Sequence, residues 1–136
     1  MTPILLDTHA AVWSAEGKLR SAVAHAIDAA AQRCELFISP ISAWEIGMLV
    51  SKGRLVLAQK VPDYIRALFA RPGVLPASLT PEIAAHAALL PGTFHGDQAD
   101  RIIVATANAY GADLVTRDAA IRAYAKTAKV IRCIPC

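Results

Sequence analysis

The sequence predicts an α/β fold, a three-layer α/β/α sandwich around a mostly parallel sheet. Two observations predict it. Short apolar runs at Ile4–Leu6, Leu36–Ile38 and Leu114–Val115 show no polar alternation, as in strands covered on both faces. Helix-start signals follow each of the three, and alternating strands and helices imply right-handed crossovers and parallel pairing. Acids stand at or just past the ends of two of these runs, Asp7 and Asp118. Open α/β sheets hold ligands outside the carboxyl ends of their strands.

Taken in order, Ile4-Leu5-Leu6 is a first strand ending at Asp7, followed by Thr8-His9. Ala10 to Ala15 is a short helical turn closed near Gly17. Ser21 is expected to cap a second helix through Ala22, Ala26 and Ala29. Leu36-Phe37-Ile38 is the second strand, and Ser39-Pro40 turns it into a helix over about Ile41 to Ser51, closed by Gly53. Glu45 stands one turn into that helix, and the helix starts at a strand's carboxyl end. Lys60 to Ala70 reads as amphipathic, with Val61, Ile65, Leu68 and Phe69 inward.

Arg71-Pro72-Gly73 is a turn, and Val74-Leu75-Pro76 a weak third strand. Thr80-Pro81 opens a helix with Glu82 in its first turn, ended by Pro91-Gly92. Thr93 to Gly96 is loop. Asp97 can cap the next helix, with Asp100 in the first turn, an apolar face at Ile103, Ala107 and Tyr110, and a stop at Gly111. Leu114-Val115 leads to Thr116-Arg117-Asp118, then to a helix from Ala119 to Lys126 and an edge strand at Val130-Ile131. There is no repeat and no linker, so residues 1–136 are expected to form one domain.

Composition excludes several classes. At 55% hydrophobic residues the chain can bury a core and is not disordered. The longest apolar run is far short of a membrane span, so none is expected. Met1 to Asp7 lacks a basic leader region, which makes a cytoplasmic location the expectation. Cys34, Cys133 and Cys136 are an odd count, and the terminal Cys133-Ile134-Pro135-Cys136 has neither a second cysteine pair for zinc nor a helix to open.

Asp7, Glu45, Asp100 and Asp118 come from four separate elements, and on this layout all four emerge at one edge. Carboxylates crowded without a cation repel and raise each other's pKa, so the cluster argues for a hard divalent cation, Mg²⁺ or Mn²⁺. Asp97 reads first as a helix cap, and Thr8 and Thr116 as strand-end hydroxyls. Setting aside Asp7, Glu45, Asp97, Asp100 and Asp118 leaves six acids against 14 lysines and arginines, a body of charge +8. A basic body around an acidic pocket suits a polyanionic substrate. His9 and His95 form no His-x-x-x-His pair and read as exposed loop residues. Arg101 is expected to pair with a neighbouring acid, and Trp13 and Trp44 to serve core or interface.

Leu5-Leu6-Asp7-Thr8-His9 with Trp13, Ser42-Ala43-Trp44-Glu45-Ile46, His95-Gly96-Asp97-Gln98-Ala99-Asp100-Arg101 and Thr116-Arg117-Asp118 together resemble the PIN-domain family. Within that family the likeness is to ribonuclease toxins of the VapC type, over nearly the whole chain. The resemblance implies a Mg²⁺- or Mn²⁺-dependent endoribonuclease; with no histidine pair placed to use the 2′-hydroxyl, water is the expected nucleophile, leaving a 5′-phosphate and a 3′-hydroxyl. It further implies a homodimer and a cognate antitoxin. It assigns the acidic quartet to Asp7, Glu45, Asp100 and Asp118, with Thr8, Asp97 and Thr116 in support. Gln98 departs from the proline frequent there in the family and leaves the role of Asp97 open. The apolar faces over Trp44 to Val50 and Val61 to Phe69 are expected to serve the dimer and the antitoxin.

Other readings fit less well. A haloacid-dehalogenase phosphatase needs Asp-x-Asp, and here the second position is His9. A receiver domain needs paired acids after its first strand, which Asp7 lacks. A catalytically idle PIN-like module for RNA binding or scaffolding is the alternative, though such modules usually lack one or more of the acids.

Overall fold

The computed structural model describes residues 1–136. Five strands form one parallel sheet in the order β3-β2-β1-β4-β5. They are β1 (Ile4–Leu6), β2 (Leu36–Ile38), β3 (Val74–Pro76), β4 (Asp113–Thr116) and β5 (Cys133–Pro135). The helices are α1 (Thr8–Ala15), α2 (Ser21–Gln32), α3 (Pro40–Ser51), α4 (Val61–Phe69), α5 (Pro81–Ala88), α6 (Gln98–Tyr110) and α7 (Ala119–Ala128). The central strand β1 pairs with β2 on one side and β4 on the other. From β1 the chain first winds outward through β2 and β3, then returns to add β4 and β5 on the other side. The reversal point lies between β1 and β4, where a ligand crevice forms in open sheets of this kind.

The unalternating strand runs are explained by burial on both faces. Ile4, Leu6, Leu36, Ile38 and Val115 join a core with residues of α1 and α2, plus Ile46 of α3 and Leu68 of α4. Leu5 and Leu114 point the other way, against Ile103, Val104 and Ala107 of α6 and Ile121 and Tyr124 of α7. Period-two alternation thus sends apolar side chains into two separate cores.

Several elements differ from expectation at their ends. Ser21 is the first residue of α2, not its cap; Arg20 holds the cap position without a side-chain bond. The helix α1 begins at Thr8, because Asp7 caps it. The helix α5 stops at Ala88, ahead of Pro91. The edge strand is Cys133–Pro135, not Val130-Ile131, because Leu114, Val115 and Thr116 pair with Cys133, Ile134 and Pro135. Val130 and Ile131 instead pack against the second core, after Lys129 turns the chain at φ 57°. Cys133 packs against the second core and Cys136 against the first, so the two thiols lie on opposite faces of the sheet. The apolar face of α4 is not spare, since Tyr64, Ile65 and Phe69 pack beside buried Leu68. Trp44 of α3, by contrast, is 57% exposed. No helix is long and apolar enough to cross a membrane.

Candidate active site

Asp7 leaves β1 at the middle of the sheet and is 7% exposed. Its Oδ1 accepts from the Thr8 backbone N–H at 2.7 Å, which starts α1. Its Oδ2 accepts from the Thr116 hydroxyl at 2.6 Å. Thr116 ends the neighbouring strand β4, so parallel pairing of β1 and β4 sets this bond. The Thr116 Oγ1 in turn accepts from the Asp118 N–H at 3.0 Å. Asp118 is exposed and caps α7, its Oδ1 accepting from Ile121 N–H at 2.9 Å. One hydroxyl therefore ties together two acids that are 111 residues apart in sequence.

A second hydroxyl, that of Thr8, holds Glu45. Thr8 Oγ1 donates to Glu45 Oε1 and lies 2.9 Å from Ser42 Oγ. A hydroxyl has one proton to give, so with Thr8 donating to Glu45, Ser42 donates to Thr8. Ser42 and Glu45 share one face of α3 at i, i+3. Ser39 caps that helix and Pro40 opens it, which fixes the helix start at the end of β2. Ser42 is 0% exposed and its bonding role escaped the sequence reading. Its three-residue spacing from Glu45 was the available signal.

Asp97 and Asp100 come from the start of α6. Asp97 Oδ1 caps the helix by accepting from Asp100 N–H at 2.9 Å. Carboxylate oxygens of Glu45, Asp97 and Asp100 all lie within 4.8 Å of one another. Asp97 is thus both cap and member of the tightest acidic group, although its sequence position spoke mainly for the cap. Arg101 does not pair with an acid. Its guanidinium donates to the carbonyls of Ala87 (2.9 Å), Phe94 (2.9 Å) and Ala88 (3.3 Å). It therefore ties the end of α5 and the loop after it to α6 and adds no counter-ion to the cluster.

A model of the PIN domain family matches residues 4–127. The chain belongs to the PIN domain family. It is 40% identical over 126 residues to Ribonuclease VapC22 of Mycobacterium tuberculosis, covering 91% of this chain and 93% of that protein. Solved structures share the fold at lower identity. VapBC2 from Rickettsia felis, bound to a DNA fragment from their promoter, aligns with a TM-score of 0.71 at 18% identity over 98% of each chain. DNA-bound VapBC from Salmonella typhimurium aligns at 0.61 and 19%, over 99% of this chain and 98% of that one.

Electrostatics in this PIN domain follow from the crowding. Burial and then the charges of Asp97, Asp7, Asp118 and Glu45 raise the Asp100 carboxyl from its ordinary 3.8 to about 7. Burial raises Asp7 as well, against the bonds from Thr116 and Thr8 that favour its charge. Burial likewise raises Glu45, with Asp7 and Asp97 adding to the rise against the Thr8 bond. No salt bridge engages any of the five acids; the four ion pairs of the molecule lie elsewhere. The helix N-termini capped by Asp7, Asp97 and Asp118 supply only partial positive charge. An all-oxygen donor set, short of counter-charge, fits a hard divalent cation and suits softer metals poorly.

No histidine is among the grouped ligand atoms, although the charge of His9 opposes the rise at Asp7 and Glu45. His9 is exposed, yet it lies in α1 rather than in a loop, its ring 5.4 Å from that of Trp13. His95 is exposed in the loop ahead of α6. Trp13 is half-buried beneath Arg117, whose guanidinium sits 4.1 Å from the ring centroid.

Proposed function

We propose that this chain is a single PIN domain over residues 1–136 that hydrolyses RNA endonucleolytically with Mg²⁺ or Mn²⁺, and that it is the toxin of a toxin–antitoxin pair. The observation that carries the reading is the grouping of Glu45, Asp97 and Asp100, with Asp7 and Asp118 close enough to raise the Asp100 carboxyl, and no basic side chain paired to any of the five. The 40% identity to a protein named a ribonuclease supports RNA as substrate. Asp7, Asp100, Asp118 and Glu45 would hold the cation, with Asp97 beside them and Thr8 and Thr116 fixing the oxygens of Glu45 and Asp7. A bound hard cation supplies a water of lowered pKa and offsets charge developing at phosphorus.

Around that group the chain's own residues orient and exclude. Thr116 and the Thr8 N–H hold both Asp7 oxygens, so this carboxylate cannot rotate away. Ser42, through Thr8, holds Glu45. Ionised acids repel bare phosphate, which keeps RNA off the edge until a cation is present. No histidine pair is placed to activate the 2′-hydroxyl, so water is the nucleophile and the products carry a 5′-phosphate and a 3′-hydroxyl. A homodimer, a cognate antitoxin and action in the cytoplasm belong to the same proposal, with exposed Trp44 a candidate contact.

The test is cleavage of single-stranded RNA by the purified chain. We expect cuts with Mg²⁺ or Mn²⁺, none in EDTA, 5′-phosphate ends, and loss of cutting in Asp7→Ala. In cells, expression should arrest growth and Asp7→Ala should relieve it. A 2′,3′-cyclic phosphate, or cutting that persists in EDTA, overturns the mechanism; RNA bound but never cut supports the idle-module alternative.

A further inference from the structure

A cavity of about 630 Å³ lies between α7, the end of α6 and the edge strand β5. Its apolar lining includes Ala107, Ala112, Ile131 and Cys133. Its cations are Arg122 and Lys126 on α7, Lys129 just past its end and Arg132 at the approach to β5. Asp113 is the acid in the lining, and its charge is already committed to Arg132. Arg122, Lys126 and Lys129 take part in no ion pair. The Arg122 Nε is shut off from solvent without a hydrogen-bond partner. Three positive charges thus stand uncompensated around an apolar hollow.

Their placement on α7 gives the cavity a direction. Arg122 and Lys126 stand at i and i+4 on one stripe of α7, and Lys129 is the residue that caps the helix end at φ 57°. The same helix is capped by Asp118 at the acidic edge. At about 1.5 Å per residue the stripe from Asp118 to Lys129 runs roughly 16 Å. That is several phosphate spacings of a single strand, whose stacked repeat is about 3.4 Å. A positively charged groove tracks the backbone of single-stranded nucleic acid; the lining here holds no aromatic ring, so a base would pack on aliphatic surface rather than stack.

We infer that the cavity between α7 and β5 is a substrate subsite that binds the single-stranded RNA flanking the scissile phosphate, with Arg122, Lys126 and Lys129 on its phosphates and a base against its apolar floor. The inference rests on the nuclease reading above and adds where the rest of the strand lies. The cavity lies at the starts of β4 and β5, and α7 runs from the acidic edge at Asp118 to it; that link and charge complementarity favour RNA over an acidic peptide of a protein partner.

The test measures binding of a fluorescein-labelled ten-nucleotide oligouridylate in EDTA at several KCl concentrations. It compares the wild type with Lys126→Glu and with Arg122→Gln/Lys126→Gln. Lys126 is exposed, so its replacement leaves the core untouched. In parallel, Mg²⁺-dependent cleavage of a uridine dinucleotide reports the acidic edge alone. We expect the double variant to bind the decanucleotide at least tenfold more weakly at low salt. Each phosphate contact on a single strand contributes about 0.7 to the slope of log affinity against log salt, so the slope should fall by about 1.4. Dinucleotide cleavage should not change. Variants that cut RNA and bind the decanucleotide with wild-type affinity and slope overturn the subsite and leave the nuclease reading intact. Weaker binding with an unchanged slope overturns it too, since no phosphate contact was lost. A wild type that cuts no RNA under any divalent cation overturns the nuclease reading itself.

Discussion

Burial and four neighbouring carboxylates hold the Asp100 carboxyl at about 7, so near neutral pH it is only partly ionised without a cation. A group whose folded pKa is raised keeps its proton longer in the folded chain than in the unfolded one. Between about 4 and about 7 the folded state therefore binds more protons, and stability is lost as pH rises through that window. The raised Asp7 and Glu45 carboxyls act in the same direction. The metal-free protein should melt at a lower temperature at pH 8 than at pH 5.5, and Asp100→Asn should flatten that dependence. Equal slopes of melting temperature against pH in the two proteins would exclude Asp100 as the cause. A cation must also displace the proton that Asp100 holds, so Mg²⁺ affinity should rise from pH 6 to pH 8. Calorimetry should show this binding, and Asp7→Asn with Asp100→Asn should abolish it; undiminished binding in the double variant refutes the site.

At the scale of elements, three of the five acids are helix caps, and this gives them two duties that mutation can separate. Asp118 caps α7 through Ile121 N–H. Asparagine caps about as well as aspartate, whereas alanine loses about 1 kcal/mol. Asp118→Asn should therefore leave the metal-free protein as stable as the wild type or slightly more so. Asp118→Ala should lower its stability by about 1 kcal/mol, and both should lose cleavage. Denaturant titration without metal, beside RNA cleavage with it, checks the split. The threonine between strands is a different case. Thr116→Val removes the donor on Asp7 Oδ2 inside a buried site, which costs on the order of 1–3 kcal/mol for the carboxylate left short of a partner. Cleavage should fall with it, and a variant as stable and as active as the wild type would show that the hydroxyl does not hold Asp7.

For the whole molecule, the largest consequence is the division between a used and an unused apolar surface. The α4 face is consumed by the first core, whereas Trp44, Leu75 and Leu79 remain exposed. The proposed dimer and antitoxin would cover apolar surface of this kind. The chain should run as a dimer in light scattering at micromolar concentration, and Trp44→Glu should shift it toward monomer. A monomer for the wild type, with no partner retained from its native operon, would count against both the dimer and the antitoxin.

The sequence by itself determined the fold class, because apolar strand runs and helix caps are local signals carried by adjacent residues. Asp7, Glu45, Asp100 and Asp118 were legible as candidates for the same reason, standing at a strand end, at a helix cap or within the first turns of a helix. Only the tertiary structure decided what those acids touch. Thr116 meets Asp7 through the pairing of β1 with β4, and Ser42 meets Thr8 through the packing of α3 against α1. Asp97 enters the tight group because the start of α6 lies against Glu45 of α3, a meeting with no trace in the spacing of either segment. Arg101 shows the limit most clearly. Beside an acid in sequence, it turns instead to three carbonyls of α5 and its loop. Carbonyls that a helix end leaves without partners exist only once the chain has folded.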